Sequence, residues 1–271
     1  MISLFKIIKI KQGKNLKVVL TIAGSDSGGG AGIQADLKTF EYFGVFGASA
    51  ITVLTAQNTT GVSAIAEVPQ GFVTAQLKAI ETDFEISAVK IGMLYNSSII
   101  EEVLGFLKGL SNIPVVFDPV FVSKAGSKLL QDDDVENFKK LFEYCTVCTP
   151  NQFEAKELFG YQFGDSNNLR DLANLPCAVL IKNHKVEKNG QVYSVDSLFA
   201  NGERFSFETP LLVSNALHGT GCSYSSAIAA NLALGKNLNE AIMAAKEFVY
   251  KGILNSPKIG HGPHPILHKQ N

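Results

Sequence analysis

Residues 18–36 read VVLTIAGSDSGGGAGIQAD, which combines a strand, a glycine-rich loop and the start of a helix. The β-branched and apolar run 18–23 predicts a buried strand. After the loop, Ile33, Leu37 and Phe40 recur at helical spacing. Glycines let a backbone approach a ligand closely, and a helix N-terminus presents N–H groups that lack partners within the helix. The stretch therefore predicts a ligand-binding turn between a strand and a helix.

The same alternation of strand and helix continues along the chain. Short apolar runs predict further strands at 46–54, 88–91, 115–117, 146–148 and 178–181. Helical windows lie between or after them, at 72–80, 99–110, 135–142, 153–159, 221–234 and 238–254. Strands separated by helices imply βαβ units and a mostly parallel sheet.

The pattern changes between residues 186 and 209. Asn189-Gly190 and Asn201-Gly202 stand there between short alternating runs, which predicts antiparallel hairpins. We therefore expect one α/β domain over 18–271. It should have a central, mostly parallel sheet, helices on both faces and a small antiparallel portion.

The composition excludes several classes of function. The 271 residues are 46% apolar and 18% charged, which is enough apolar material for a sizeable core. Lysine and arginine number 24 and aspartate and glutamate 25, so the net charge of −1 argues against nucleic-acid or anionic-membrane partners. No apolar run approaches the roughly 18 residues of a membrane span. Without an export signal we expect a cytoplasmic protein with four reduced cysteines.

The first 17 residues differ from the rest of the chain. They carry five lysines and no acidic residue, and lysines interrupt their apolar pieces. We interpret residues 1–17 as a basic, solvated N-terminal extension that precedes the domain. A basic arm that binds nucleic acid is the alternative, although the rest of the chain offers no matching basic surface.

A second glycine loop, His218-Gly219-Thr220-Gly221-Cys222-Ser223, precedes a helix made largely of small residues. Small residues allow that helix to pack close to the sheet and to bring its N-terminus to a ligand. The N–H groups of Gly219 to Cys222 could form an anion hole for a phosphoryl group. The helix dipole should lower the pKa of the Cys222 thiol, so that it could accept a proton. The alternative is a small core cysteine.

Several other patterns favour ordinary structural explanations. Residues 30–35 fit the dinucleotide fingerprint G-x-G-x-x-A, but no acid follows Glu41 before Glu67, which argues against a nicotinamide site. No P-loop motif occurs. Three groups contain side chains that can bind metals: Cys145 with Cys148, His261 with His264 and His268, and Asp132-Asp133-Asp134. Buried thiols, a proline-rich tail without an aligning helix, and a helix N-cap explain them better.

Several motifs together resemble one family. They run from Ala23 to Asp36, Thr55 to Thr59, Val89 to Leu94, Asp118 to Val120, Thr149 to Ala155 and His218 to Cys222. Their order and spacing are similar to those of the hydroxymethylpyrimidine/phosphomethylpyrimidine kinases, which are thiamine-biosynthesis members of the ribokinase superfamily. The resemblance covers roughly residues 17 to 255.

The resemblance implies a ribokinase-like fold and a kinase that uses ATP and Mg²⁺. Its substrates would be 4-amino-5-hydroxymethyl-2-methylpyrimidine and then the monophosphate, which becomes the diphosphate in the same site. Family members suggest a homodimer.

The resemblance also implies roles for individual residues. Gln57 would hydrogen-bond the aminopyrimidine, Asp36 would close the substrate pocket, and Gly24, Met93 and Val120 would line it.

On the nucleotide side, Asp118 and Glu154 would face the phosphates through Mg²⁺ or its waters. Asn151 and Lys182 would contact the nucleotide. Cys222 takes the place of the base of the sugar kinases, and it would act as a base or complete the anion hole with Gly219, Thr220 and Gly221.

This chain departs from the family pattern at three places. It reads Lys182-Asn183-His184 where the family usually has Lys-Gly-Gly-His, Leu217 replaces a threonine, and Ile259 is inserted after Lys258. The alternatives are a pyridoxal or pyridoxine kinase, whose substrate shares a flat ring and a hydroxymethyl group, and a catalytically silent vitamin-binding protein. A sugar kinase is disfavoured because its base is an aspartate.

Overall fold

The computed structural model describes residues 15–120, 135–165, 171–172 and 174–270. The strands are β1 (Val18–Ala23), β2 (Phe46–Ile51), β3 (Val53–Asn58), β4 (Gly61–Glu67), β5 (Ile86–Ile91), β6 (Val115–Phe117), β7 (Val147–Cys148), β8 (Ala178–Lys188), β9 (Gln191–Ala200) and β10 (Glu203–Pro210). The helices are α1 (Gly32–Phe43), α2 (Phe72–Glu81), α3 (Ser97–Leu107), α4 (Val135–Leu141), α5 (Gln152–Phe159), α6 (Thr220–Ala233) and α7 (Leu238–Leu254).

Eight of these strands form one sheet in the order β10-β9-β8-β7-β6-β5-β1-β2. The strands from β2 to β8 in that order pair in parallel, and β9 and β10 are antiparallel. The predicted fold class, a mostly parallel sheet with a small antiparallel portion, is confirmed. The carboxyl ends of the parallel strands share one edge, which is where open α/β sheets bind ligands.

Helices cover the two faces of the sheet because successive strand side chains point in opposite directions. Leu20 and Ile22 of β1 join a buried cluster with residues of α2, α3 and α4. Val19 of the same strand joins a second cluster with residues of α6 and α7. Strands that are buried on both faces appear in the sequence as continuous apolar runs, which explains why periodicity located them.

One predicted strand is wrong in its extent. Residues 46–54 were expected to form a single strand, but the chain leaves the sheet at Thr52. Thr52 Oγ1 donates to the carbonyl oxygen of Met93 at 2.6 Å, and its N–H donates to Ala23 O. Strands β3 and β4 then form a separate antiparallel pair. No pattern in the sequence predicted this hairpin, which supplies one wall of a cavity at the carboxyl ends of the parallel strands.

The antiparallel portion agrees with its prediction. Asn189 and Asn201 adopt φ values of 52° and 53°, and each is followed by a glycine at positive φ. Two left-handed residues in succession form the tight turn that matches strand twist, so these dipeptides connect β8 to β9 and β9 to β10.

Two predicted features lie outside the described residues. They are most of the basic extension at 1–17 and the acidic run Asp132-Asp133-Asp134. The domain boundary at residues 17 and 18 stays a prediction. None of the helices within the described residues is long and apolar enough to cross a membrane.

Candidate active site

A cavity of about 370 Å³ lies at the carboxyl ends of the parallel strands. Both glycine loops, the β3–β4 hairpin and the residues that follow β6 and β7 contribute to its wall. Eleven of the predicted site residues line it: Gly24, Gln57, Met93, Val120, Asp118, Asn151, Glu154, Lys182, Gly219, Gly221 and Cys222. The fold therefore brings together residues that are separated by up to 198 positions in the sequence.

The first glycine loop is organised by the carboxylate of Asp26, which is 1% exposed. Its oxygens accept the N–H groups of Gly28, Gly30 and Ala31 at 2.8, 3.0 and 2.8 Å. Oδ2 also lies 2.8 Å from Nε2 of His218, in the second glycine loop. Burial raises the pKa of Asp26, but the hydrogen bonds from His218, Ala31 and Gly28 more than offset this, so the pKa lies below its ordinary value. Asp26 therefore shapes its own loop.

The two glycine loops touch each other through backbone atoms. A Cβ on Gly219 would lie 1.7 Å from the carbonyl oxygen of Gly30, and Gly219 has a φ of 74°. A Cβ on Gly30 would lie 2.2 Å from the His218 ring. Glycine is needed at both positions because any side chain would separate the loops.

The second glycine loop presents the N-terminus of α6 to the cavity. Gly219 is the N-cap, and no side chain caps this helix. The N–H groups of Gly221 and Cys222 have no hydrogen-bond acceptor in the part of the chain that the structure describes. Uncapped amides at a helix N-terminus bind anions readily. Thr220 begins the helix but does not line the cavity; its Oγ1 donates to Leu217 O.

An ion pair faces this helix terminus. Lys182 Nζ donates to Asp118 Oδ1 at 2.7 Å, and both side chains are buried. A Cβ on Gly221 would lie 3.5 Å from Asp118 Oδ2 and 3.8 Å from Lys182 Nζ. Thr149 Oγ1 also donates to Asp118, at 3.0 Å. A cationic group therefore lies beside the uncapped amides.

A bulge in β8 directs Lys182 into the cavity. Ile181 pairs with Ser197 but His184 pairs with Val195, so β8 contains one extra residue. Asn183 occupies this bulge with a φ of 68°, and its N–H donates to Asp196 Oδ1 at 2.9 Å. Asparagine tolerates the left-handed conformation better than most residues. The shortened Lys182-Asn183-His184 segment thus still delivers its lysine to Asp118.

The two cavity carboxylates, Asp118 and Glu154, differ in the direction of their pKa shifts. Burial raises the pKa of Asp118, but Lys182 and then Lys90 more than offset this, so the pKa lies below its usual range. Burial raises the pKa of Glu154 to about 7; Lys182 acts against this rise and Asp118 adds to it. Glu154 Oε2 accepts the N–H of Asn151 at 2.7 Å in the capping box of α5. The positive charge near Asp118 and Glu154 therefore does not fully offset the burial of both carboxylates.

The opposite end of the cavity holds Gln57, on β3. Thr55 Oγ1 donates to Gln57 Oε1 at 3.1 Å, while Nε2 has no acceptor among the described residues. Ser27 Oγ donates to Gln57 O and accepts from Gln57 N, both at 2.8 Å. A Cβ on Gly24 would lie 3.3 Å from the Met93 methyl carbon, so glycine keeps this wall open. Thr55 Oγ1 also donates to Ser25 O, at 2.8 Å, so the Gln57 amide is held only in part, and its donor hydrogens have no protein acceptor within the described residues.

Asp36 does not reach the cavity wall, contrary to expectation. It is fully buried, and its Oδ2 accepts Thr21 Oγ1 at 2.6 Å and Lys90 Nζ at 2.8 Å. Its Oδ1 accepts Ser226 Oγ at 2.7 Å. Lys90, which lines the cavity, is a candidate functional residue that was not identified from the sequence. Its signal was a lysine at the end of the apolar strand β5.

The expected lowering of the Cys222 pKa is also wrong. Burial raises the pKa of the thiol above its ordinary value, and Lys90 offsets only part of this rise. Desolvation of the charged thiolate is the largest influence on this pKa.

The remaining candidates behave as structural groups. Cys145, Cys148 and Cys177 are buried free thiols. Among the described residues, no group of three or more histidine, cysteine or acidic residues could hold a metal ion. His268 hydrogen-bonds Ser223, and His264 Nδ1 lies 3.1 Å from Ile259 O. His218 lines the cavity and contacts Asp26; its motif was recognised from the sequence, but this contact was not predicted.

The chain matches known proteins over most of its length. A family model described as phosphomethylpyrimidine kinase matches residues 26–267. A protein of Haemophilus influenzae named hydroxymethylpyrimidine/phosphomethylpyrimidine kinase is 43% identical over 261 residues, which cover 94% of this chain and 97% of that protein.

Solved structures are similar as well. A phosphomethylpyrimidine kinase from Clostridium difficile has a TM-score of 0.74 and 37% identity, covering 88% of this chain and 99% of that one. A pyridoxal kinase from Staphylococcus aureus in complex with AMP-PCP and pyridoxal has a TM-score of 0.80 and 31% identity, covering 93% of both chains.

Proposed function

This chain belongs to the phosphomethylpyrimidine kinase family, as its motifs predicted, and we propose that it phosphorylates 4-amino-5-hydroxymethyl-2-methylpyrimidine and then its monophosphate. One observation carries the proposal. A single cavity holds a side-chain amide between apolar walls at one end and an uncapped helix N-terminus beside a lysine at the other. Such a cavity can hold an aminopyrimidine and phosphoryl groups together.

The acceptor end is suited to a flat, polar ring. An aminopyrimidine needs both donors and acceptors, and Gln57 offers an amide that supplies both. Gly24, Met93 and Val120 provide the surrounding wall. Asp36 does not line the cavity, but its carboxylate forms a buried ion pair with Lys90, which does line it. We assign Asp36 to supporting Lys90 rather than to contacting the substrate.

The phosphate end supplies positive charge in a fixed arrangement. The N–H groups of Gly221 and Cys222 and the ammonium of Lys182 converge there with Asn151 at the wall. Phosphoryl transfer depends mainly on positioning and on stabilising charge, and these groups supply both. Because burial raises the pKa of the Cys222 thiol, we assign Cys222 to completing the anion hole rather than to removing the hydroxyl proton.

The residues of this end also fit Mg²⁺. Asp118 and Glu154 would hold the ion, since magnesium in kinases is bound by one or two carboxylates together with substrate phosphates. The raised pKa of Glu154 marks a carboxylate that a cation would stabilise in its ionised form. When bound, the ion would neutralise charge on the phosphates of ATP.

Pyridoxal is the second candidate acceptor. The observation that favours it is the similarity to the pyridoxal kinase of Staphylococcus aureus, at a TM-score of 0.80. Pyridoxal has a flat heteroaromatic ring with a hydroxymethyl group, as the pyrimidine does. It lacks the exocyclic amine that Gln57 could recognise.

The decisive experiment measures ADP release with ATP and Mg²⁺ and hydroxymethylpyrimidine, pyridoxal, ribose or no acceptor. Products are identified by mass. We expect monophosphate and then diphosphate from the pyrimidine. Turnover of pyridoxal alone would assign the chain to vitamin B6 salvage. Pyrimidine binding without any turnover would identify a catalytically silent vitamin-binding protein.

We also propose a cytoplasmic homodimer. The expectation rests on the family resemblance. Light scattering that gives the mass of one 29.2 kDa chain at micromolar concentration would contradict the dimer.

A further inference from the structure

Four consecutive residues of α6, Ser223 to Ser226, each form a hydrogen bond to a different buried group. All four side chains are buried. The contacts are Ser223 Oγ with His268 Nε2 at 2.9 Å, Tyr224 OH to Asp196 Oδ2 at 2.9 Å, Ser225 Oγ to Asp118 Oδ2 at 3.4 Å, and Ser226 Oγ to Asp36 Oδ1 at 2.7 Å.

The four partners lie on different parts of the fold. Asp36 belongs to α1, Asp118 follows β6, Asp196 lies in β9, and His268 lies in the C-terminal tail. With 3.6 residues per turn, four successive side chains point in directions that together encircle the helix. The helix therefore cannot rotate or slide along its axis without breaking at least one of these bonds.

These contacts lie directly behind the second glycine loop. Ser223 follows Cys222, yet none of the four residues lines the cavity. The next part of the helix, residues 227–233, has alanine at four of its seven positions, and alanine side chains restrict height and rotation less than longer ones do. Directional hydrogen bonds to buried groups specify a position more narrowly than small apolar contacts do.

The contact of Ser226 is anchored most firmly. Its acceptor Asp36 also accepts Thr21 of β1 and Lys90 of β5, so the bond joins α6 to the centre of the sheet. By contrast, the single O–H of Ser225 also lies within hydrogen-bond distance of the carbonyl oxygens of Gly221 and Cys222, at 3.1 Å each. Its contact with Asp118, at 3.4 Å, is therefore the weakest of the four.

We propose that Ser223, Tyr224, Ser225 and Ser226 are positioning residues that set the height and rotation of α6, and thereby the position of the Gly219–Cys222 amides at the phosphate. This inference rests on the proposed function and deepens it. The four residues act through the loop rather than by touching substrate. A displacement of about 1 Å in a group that stabilises transferred charge can lower a rate by roughly 100-fold.

The first test needs no turnover. Ser226→Ala removes one hydroxyl, and we expect faster hydrogen exchange at the first hydrogen-bonded amides of α6, residues 223–226, beginning with Ser223 N–H, which donates to Gly219 O at 2.9 Å. We also expect a changed rate of Cys222 alkylation by iodoacetamide. The other three cysteines are buried, so the label reports the loop. Ser197→Ala is the matched control, because Ser197 is a fully buried serine of β9 that accepts a hydrogen bond from Arg204. It should leave both measurements unchanged.

The second test uses kinetics and an isosteric variant. Tyr224→Phe removes only an O–H, and Asp196 keeps its bonds from Lys246 and Asn183. We expect Ser226→Ala to lower kcat roughly 10- to 100-fold, and Tyr224→Phe to lower it less, while KM for the pyrimidine changes little. Ser226→Thr keeps the hydroxyl and should recover part of the lost kcat.

Three outcomes would overturn the proposal. They are wild-type exchange at residues 223–226 in both variants, an unchanged kcat, or an equal effect of Ser197→Ala, which would show general destabilisation. If the wild-type protein turns over none of the acceptors, the proposed function fails, but the exchange and alkylation data still decide whether these residues position the loop.

Discussion

The two glycine loops of this protein lead into helices in the same way but use their amides differently. In the first loop, Asp26 accepts three backbone N–H groups, and Ile33 N donates to Gly24 O. In the second loop, Gly221 and Cys222 have no acceptor among the described residues, and α6 has no side-chain cap. The first loop is therefore a support, and the second is the loop to which we assign anion binding.

The comparison shows that glycine content does not identify a phosphate site. Both loops are rich in glycine and precede a helix, but an amide can bind an anion only if no protein group already accepts its hydrogen. The aspartate inside the first loop removes that capacity. Through its contact with His218, Asp26 also holds the second loop, whose amides keep the capacity to bind an anion.

The largest effect should come from separating the loops. Gly219→Ala places a methyl group 1.7 Å from Gly30 O at a φ of 74°, so the loops must move apart. We expect activity to fall by at least roughly 100-fold, because the amides lose their position. Steady-state kinetics and thermal unfolding measure the two effects.

Gly235→Ala is the matched control for this variant. Gly235 has a φ of 88° but no atom within 4 Å of the Cβ position. It should lower stability by roughly 1–2 kcal/mol through backbone strain and leave the kinetics unchanged. Equal loss of activity in both variants would contradict the role of the loop contact.

Removing the cation that faces the second loop should have the next largest effect. Lys182→Met leaves the amides in place but deletes the positive charge beside them. We expect kcat/KM for ATP to fall roughly 10- to 100-fold, since a charged donor to the phosphates is lost. Lys185→Met, at an exposed position of the same strand, should match the wild type. Normal ATP kinetics in Lys182→Met would argue against a phosphate site here.

A smaller effect should follow from changing the hub of the first loop. Asp26→Asn keeps the shape of the side chain but removes its negative charge. The Asp26 carboxylate accepts the N–H groups of Gly30 and Ala31 and contacts Nε2 of His218. We expect a loss of roughly 1.5–3 kcal/mol in the free energy of unfolding at neutral pH, typical of hydrogen bonds to charged groups. Chemical denaturation measures it, with exposed Asp83→Asn as the control.

This difference should depend on pH in one direction. The pKa of Asp26 is lowered on folding from 3.8, so its stabilising contribution is present above that pH and is lost as the pH falls through the folded value. The gap in stability between wild type and Asp26→Asn should therefore narrow below about pH 4. A gap that stays constant from pH 7 to 3 would show that the charge contributes nothing.

The smallest change concerns the thiol of the second loop. Because burial raises the pKa of Cys222 above 9.0, its alkylation by iodoacetamide should be slow at neutral pH and reach half its maximal rate above pH 9.0. Cys222→Ser should take up no label. A rate that is already maximal at pH 7 would restore the thiolate as a candidate base.

Much of the fold could be predicted because its signals are local. The strands and helices around the parallel sheet alternate as apolar runs and helical periods, and Asn189-Gly190 specifies its own turn through the left-handed conformation of both residues. The break after Ile51 could not be predicted. Residues 46–54 are uniformly suitable for a strand, and Thr52 leaves the sheet through a bond to the carbonyl of Met93, which is 41 residues away.

The site shows the same division. Motifs located Gln57, Asp118 and Lys182, and Gly219, Gly221 and Cys222 of the second glycine loop, all of which line the cavity. They misplaced Asp36, because its three partners lie 15, 54 and 190 residues away and make it a buried anchor. They also could not weigh burial against the helix dipole at Cys222, since burial is a property of the packed fold.

The amino-acid sequence by itself determined the family, the order of most strands and helices, and which residue types meet at the carboxyl ends of the sheet. It could do so because periodicity, turn chemistry and motif spacing depend on neighbouring residues. The tertiary structure alone decided which amides lack a protein acceptor, which carboxylate faces the cavity and in which direction the pKa of the Cys222 thiol shifts. Those properties follow from desolvation and from hydrogen bonds between distant residues, and they exist only once the chain has packed.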